Sequence, residues 1–357
     1  MNNDSKSYWR YIKSYTGKSF QIIADGPVYD KNKNLITEKH EKIKIWTNHF
    51  GDLAKDTTGN SRTTDKWANL ISSDCDYYPE CDSTILWTDI TDALADTPNN
   101  KAPGADGVPS EVWKLVMAEL SPTSSLAQLI HKIINLMYDT GDIPKCLETS
   151  VVVPVPKKGD MKDPDNYRGI SLIPTLEKLM AKIVATKLSK IDSKYQILVK
   201  EQFGFRSFEE CVDQETTLYE IVHRQKIQNM KTWLCYIDYS KAYDWVPHMA
   251  LLYKLRSVGI EGKLLNMIKG MYYAPKIAVR VVNRVSKSTE YFCGVRQGCP
   301  ASPVLFDFYI NDIFKGVRGV RVPGLTSRIP GLLFVNDAVL LTESSADLQD
   351  ALNAINE

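Results

Sequence analysis

GLLFVNDAVLL, residues 331–341, is a pair of apolar arms folded about Asn336 and Asp337. The pattern predicts a β-hairpin, in which Asn and Asp are ordinary turn residues. It also places a bare carboxylate at the tip of two buried arms. Working outward, a second short apolar run, WLCYIDY at residues 233–239, carries its own acid, Asp238, close to its end. This run predicts a buried strand. A strand beside a hairpin is a rigid way to bring two carboxylates together across 337 − 238 = 99 residues. Hard oxygen ligands of this kind suit Mg2+, which takes one or two protein carboxylates together with substrate phosphates. Taken singly, either Asp fits a solvent-facing turn acid equally well.

The flanking sequence fills in a sheet and its helices. SVVVPVP, residues 150–156, reads as a strand whose prolines fit an edge position. YRGISLI, residues 167–173, can pair back on it across the turn KKGDMKDP. Leu176, Leu179, Met180, Ile183, Val184 and Leu188 then fall at helical spacing. Residues 250–273 read as helical, KIAVRVV and TEYFC as a further hairpin, and SPVLFDFYINDIF as a helix started near Pro303. The loop NNKAPGADGVP, residues 99–109, is followed by a helical stretch to about Tyr138. The first eighty or so residues are polar and turn-rich, broken by amphipathic pieces such as IKIWTNHF, and read as a leader or a small helical subdomain. Strands and helices alternate without regular βαβ spacing. The expected fold class is therefore α+β, a mainly antiparallel sheet backed by helices.

Composition narrows the partners. The 357 residues are 43% hydrophobic, and 44 basic against 43 acidic side chains leave a net charge of +1. A nucleic-acid partner would have to be held by a local basic groove. No apolar run is long enough to cross a bilayer, and the N-terminus lacks a signal-peptide core, so no membrane association is expected. Seven cysteines without a CxxC pair point away from zinc ribbons and toward an intracellular, reducing compartment, with cytoplasm and nucleus undecided.

YIDYSKAYDWVPH (residues 236–248) strongly resembles the first palm motif of reverse transcriptases from non-LTR, LINE-class retrotransposons. GVRQGCPASPVLF (294–306) resembles their second palm motif, and LFVND (333–337) takes the place of the third. NNKAPGADGVP, PVPKKGD, NYRGISL and EQFGFR resemble fingers segments in the family's order, so the resemblance covers roughly residues 85–345. It implies a right-hand polymerase with fingers over residues 85–232 and a palm over 233–357, after a polar leader at 1–84. It implies RNA-templated DNA synthesis with two Mg2+ ions, an RNA template, a DNA primer and deoxynucleoside triphosphates. Asp238 and Asp337 resemble metal ligands. Lys157, Lys158 and Arg168 fall where fingers cations face the triphosphate, although an isolated lysine pair is often just solvated. Tyr243 falls where an aromatic beneath the sugar excludes a 2′-hydroxyl, with core packing as the alternative. Gln297 and Gly298 open the motif that lies under the new base pair.

Two departures modify the expectation. The family's third motif usually reads aromatic-Ala-Asp-Asp, whereas here it is Phe334, Val335, Asn336 and Asp337. Asn336 keeps the shape and one carbonyl oxygen but loses the charge, so weak metal binding and impaired catalysis are expected. Only twenty residues follow Asp337, which leaves no sequence for the later palm motifs or a thumb, and the leader is too short and polar for an endonuclease domain. The alternative is a non-catalytic nucleic-acid-binding remnant.

Overall fold

The computed structural model describes residues 26–59, 61, 67, 77–206, 209–282 and 284–356. The first 25 residues of the polar leader and part of the loop at 56–66 lie outside them. The described residues open with β1 (Val28–Tyr29), β2 (Leu35–Ile36) and helix α1 (Lys39–Leu53), then α2 (Trp87–Ala95), α3 (Ser110–Trp113) and α4 (Ser125–Thr140). Strands β3 (Thr149–Pro156) and β4 (Tyr167–Leu172) precede α5 (Thr175–Tyr195) and α6 (Cys211–Ile227). Next come β5 (Trp233–Asp238), α7 (His248–Ser257), α8 (Gly262–Met271), β6 (Lys276–Val281), β7 (Arg284–Val285), β8 (Thr289–Glu290) and α9 (Ser302–Ile310). The chain finishes with β9 (Val320–Arg321), β10 (Arg328–Ile329), β11 (Gly331–Phe334), β12 (Asp337–Thr342) and α10 (Ser345–Asn356).

Two sheets position the site. One is antiparallel throughout, in the order β11-β12-β5; the other runs β4-β3-β6, with β7 and β8 also pairing on β6. Within the second sheet β3 and β4 are antiparallel, but β3 and β6 are parallel. That parallel pair escapes a reading of neighbouring segments, because parallel strands need a long crossover and the helices between them supply it. The expected edge position of β3 is also corrected. It lies between β4 and β6, yet β6 reaches only Thr149–Val152. Lys157 donates its N–H to Asn166 on the β4 side, so alternation turns the nitrogens of Pro154 and Pro156 to the other side, past the end of the β6 pairing. Prolines are tolerated there because no ladder bond is lost.

A larger correction concerns β5. Its apolar run reads as buried on both faces, as parallel strands are. It is instead the outer strand of its sheet, with Trp233, Leu234 and Tyr236 exposed. Only Cys235 and Ile237 pack toward the core.

The main core runs from Cys81 to Ala351 and packs the central helices against β11 and β12. Leu176, Leu179, Met180, Ile183, Val184 and Leu188 of α5 are all buried in it, as their spacing requires. A second core sets Trp46 and Phe50 of α1 against Val152, Tyr167 and Ile277, with the Trp46 and Tyr167 rings edge-on at 4.7 Å. Residues 39–53, which include the amphipathic piece of what read as a leader or a small helical subdomain, form a helix docked on the mixed sheet. No helix among the described residues is long and apolar enough to cross a membrane.

Candidate active site

The hairpin forms as its apolar arms require, but its turn is shifted by one residue. Phe334 pairs with Asp337, so the two turn residues are Val335 and Asn336, and Asp337 is the first residue of β12. The register carries on into β5, where Asp337 is the direct partner of Asp238. Directly opposed residues share one face of a sheet, with Cβ atoms about 4.5–5.5 Å apart. The two acids separated by 99 residues in sequence therefore stand side by side, both exposed. The Asn336 side-chain amide donates to Asp337 Oδ1 at 3.5 Å.

Val335 adopts φ 61, a left-handed conformation that a β-branched residue rarely takes. The residues around it enforce the bend. Gln202, 1% exposed, accepts the Val335 N–H at 3.0 Å and the Gly204 N–H at 2.7 Å. Its Nε2 donates to the Val335 carbonyl at 3.2 Å. Alongside, Leu333 donates to the Glu201 carbonyl, and Phe203 and the Gln214 side chain both donate to the Leu333 carbonyl. EQFGFR thus runs beside β11 and grips the turn by its backbone. A Cβ on Gly204 would lie 2.5 Å from the Val335 nitrogen, which explains the glycine.

The turn and the end of β5 border a cleft of about 1080 Å³. Of the residues expected from sequence, Lys157, Arg168, Asp238, Tyr243, Gln297, Gly298 and Asn336 line it. Lys158 and Asp337 do not: Lys158 is exposed beyond the end of β3, and Asp337 flanks Asp238 at the rim. The loop at 294–300 is pinned on two sides, with Val295 donating to the Tyr243 carbonyl and Ser171 to the Gln297 carbonyl. Gly298 has φ 107, and a Cβ there would meet the Ser171 carbonyl at 2.8 Å. The Tyr243 ring stacks on Phe306, with centroids 4.9 Å apart and planes 11° apart.

Several further site residues were given no role by the motif reading, although Lys241, Asp244 and Arg296 lie inside its segments. Asp165, Lys241 and Asp244 also line the cleft. Asp244 is half-buried, and burial pushes its carboxyl above the usual range while Lys241 and Lys157 oppose the shift. Arg296, 2% exposed, donates to Ser150 Oγ at 2.8 Å and forms a buried ion pair with Glu177. Charged side chains next to a glycine-containing motif were the available signal, but nothing in the sequence matches them with partners.

Next to Phe306 in α9 is Asp307, 1% exposed, with its Oδ1 lacking a hydrogen-bond partner. Burial raises its carboxyl from 3.8 to about 8; Arg206 opposes this and Asp192 adds to it. The folded chain thus keeps a proton that the unfolded chain releases near the ordinary value. The resulting stability is fully present below that value and is lost as pH rises through about 8. Asp307→Asn is therefore expected to match the parent in acid and to gain an advantage of a few kcal/mol, to order of magnitude, by alkaline pH. Melting temperatures across that range check it, and a pH-independent difference would refute it.

Among the described residues no group of three or more His, Cys, Asp or Glu is placed to hold a metal ion. The opposed pair Asp238 and Asp337 is an all-oxygen donor set. It fits Mg2+, whose remaining positions are filled by water or substrate oxygens.

Residues 155–357 match the family model described as reverse transcriptase (RNA-dependent DNA polymerase). The RNA-directed DNA polymerase from the mobile element jockey of Drosophila funebris is 25% identical over 357 residues, covering 98% of this chain and 37% of that protein. The transposon TX1 uncharacterized 149 kDa protein of Xenopus laevis is 24% identical over 275 residues, covering 76% of this chain and 20% of that protein. The chain thus spans between a fifth and little more than a third of these relatives' length. Among solved structures, telomerase from Candida albicans in complex with a fragment of telomeric RNA aligns with a TM-score of 0.42 at 13% identity, over 60% of this chain and 42% of that one. The chain belongs to the reverse transcriptase (RNA-dependent DNA polymerase) family and is a domain of the kind carried by non-LTR, LINE-type retrotransposons.

Proposed function

We propose that the cleft is a deoxynucleoside triphosphate site built for RNA-templated extension of a DNA primer, and that Asn336 leaves its chemistry severely impaired. The observation that carries this reading is the register Asp337 opposite Asp238 at the rim of a cleft that Lys157 and Arg168 also line. In this reading the β3–β4 hairpin plays the part of fingers and the β11-β12-β5 sheet that of a palm. Asp238 and Asp337 hold Mg2+, whose chemistry when bound is to stabilise the attacking and leaving oxygens of a phosphoryl transfer. Lys157 and Arg168 offset charge on the polyphosphate. The Tyr243 ring, braced by Phe306, presents a flat surface beneath the sugar and favours the deoxy form. Gly298 lets the backbone approach the base pair closely. With Asn in place of Asp at 336, two ions would share two carboxylates, and their affinity falls.

Mn2+ titration in the presence of dTTP tests the site without requiring turnover. Asp238→Asn and Asp337→Asn are each expected to weaken Mn2+ binding at least about tenfold, a loss of about 1.4 kcal/mol. Lys157→Gln combined with Arg168→Gln is expected to weaken dTTP binding by a similar factor. Equal binding by all of these variants would overturn the assignment.

A further inference from the structure

Lys241 stands three residues after Asp238 and is held at φ 54, a left-handed conformation uncommon for lysine. Its Nζ lies 2.8 Å from Asp165 Oδ1. Asp165 belongs to the single turn Pro164–Asn166, between β3 and β4, so this ion pair ties the β3–β4 side of the cleft to the loop after β5. Both residues line the cleft together with Lys157 and Arg168. The Lys241 side chain is 26% exposed and that of Asp165 is 65% exposed. The cation is thus largely sequestered while its partner faces solvent. Lys241 also opposes the burial-driven rise of the half-buried Asp244 carboxyl.

A triphosphate bound between Lys157 and Arg168 would carry several negative charges into the space where Lys241 is satisfied by a single, solvent-facing carboxylate. Exposed ion pairs of that kind are weak and easily exchanged, whereas ammonium–phosphate contacts in a partly enclosed cleft are charge-assisted and stronger. We propose that Lys241 is a third cation for the nucleotide's polyphosphate and that Asp165 is its stand-in anion, so that the Asp165–Lys241 pair is a latch across the cleft which a bound triphosphate opens. This inference rests on the nucleotide-site reading above.

The two readings separate in one set of titrations on the full chain, using inorganic tripolyphosphate and dTTP at low salt. Asp165→Asn frees Lys241 and is expected to tighten tripolyphosphate about threefold, a gain that merely losing a structural contact would not produce. Lys241→Gln is expected to weaken it at least about fivefold, and Lys241→Arg, which keeps the charge, to retain binding. The double variant Asp165→Asn with Lys241→Gln should bind like Lys241→Gln alone, because the latch matters only through the lysine. If Asp165→Asn is neutral or weaker, or Lys241→Gln is unchanged, while Lys157→Gln with Arg168→Gln still loses affinity, the latch is refuted and the nucleotide site stands. If the parent chain binds neither probe, both are refuted.

Discussion

Glu177→Ala is expected to lower the free energy of unfolding by about 3–5 kcal/mol, the usual cost of removing one partner of a buried ion pair. That is a large share of the stability of a typical domain, and a denaturant titration read by tryptophan fluorescence would show it as a clear fall in midpoint. The magnitude comes from Arg296, whose guanidinium is almost fully buried and, among the described residues, pairs with no carboxylate but that of Glu177. Ser150 Oγ and the Met271 carbonyl would remain as acceptors, but neither carries charge. Arg296 Nε and Glu177 Oε2 already lack hydrogen-bond partners, so the pair has no slack with which to absorb a loss. Exchanging both residues together for apolar ones of similar volume should recover most of the loss, because the expensive state is the unpaired charge and not the missing bridge. A single-variant loss below about 1 kcal/mol would show that water reaches Arg296 and that the ion pair is weak. Arg296 directly precedes Gln297 and Gly298, so the same change is expected to loosen that wall of the cleft.

The second large effect concerns the chemistry. Single-nucleotide extension of a DNA primer on an RNA template, with Mg2+ or Mn2+, is expected to give no detectable product with the chain as it stands. Asn336→Asp is expected to raise extension by at least about 100-fold, since even residues that only support a metal's ligands are worth 10- to 100-fold. The turn would then present a carboxylate beside the opposed pair Asp238 and Asp337. Three adjacent acids repel one another until divalent cations neutralise them, so tighter Mn2+ binding should accompany the gain. Robust extension by the parent chain would contradict the assigned role of Asn336. Restored Mn2+ affinity without extension would locate the defect elsewhere.

The hairpin was legible because its apolar arms flank two turn-forming residues, and the meeting of two acids was legible because each sits where an apolar run ends. The exact turn was not. With Phe334 as the partner of Asp337, the bend falls on Val335, a residue that local propensity would never nominate. The exposure of β5 was hidden because an uninterrupted apolar run looks the same whether one neighbour covers it or two. Docking of α1 was hidden because an amphipathic piece such as IKIWTNHF does not name its partner, and those of Trp46 and Phe50, Val152 and Ile277, are over a hundred residues away. Glu177 with Arg296 and Asp165 with Lys241 share that difficulty. Each member is an unremarkable charged residue until the fold supplies its counterpart.

Gln202 reaches the hairpin tip only through main-chain atoms of residue 335, accepting its N–H and donating to its C=O. The shape of that corner is therefore indifferent to the identity of the side chain next door. Exchanging one small polar group for another at 336 is therefore expected to cost little folding free energy, so the need to fold does not by itself preserve a carboxylate at that position. A scaffold that grips its tip in this way can go silent while keeping its form.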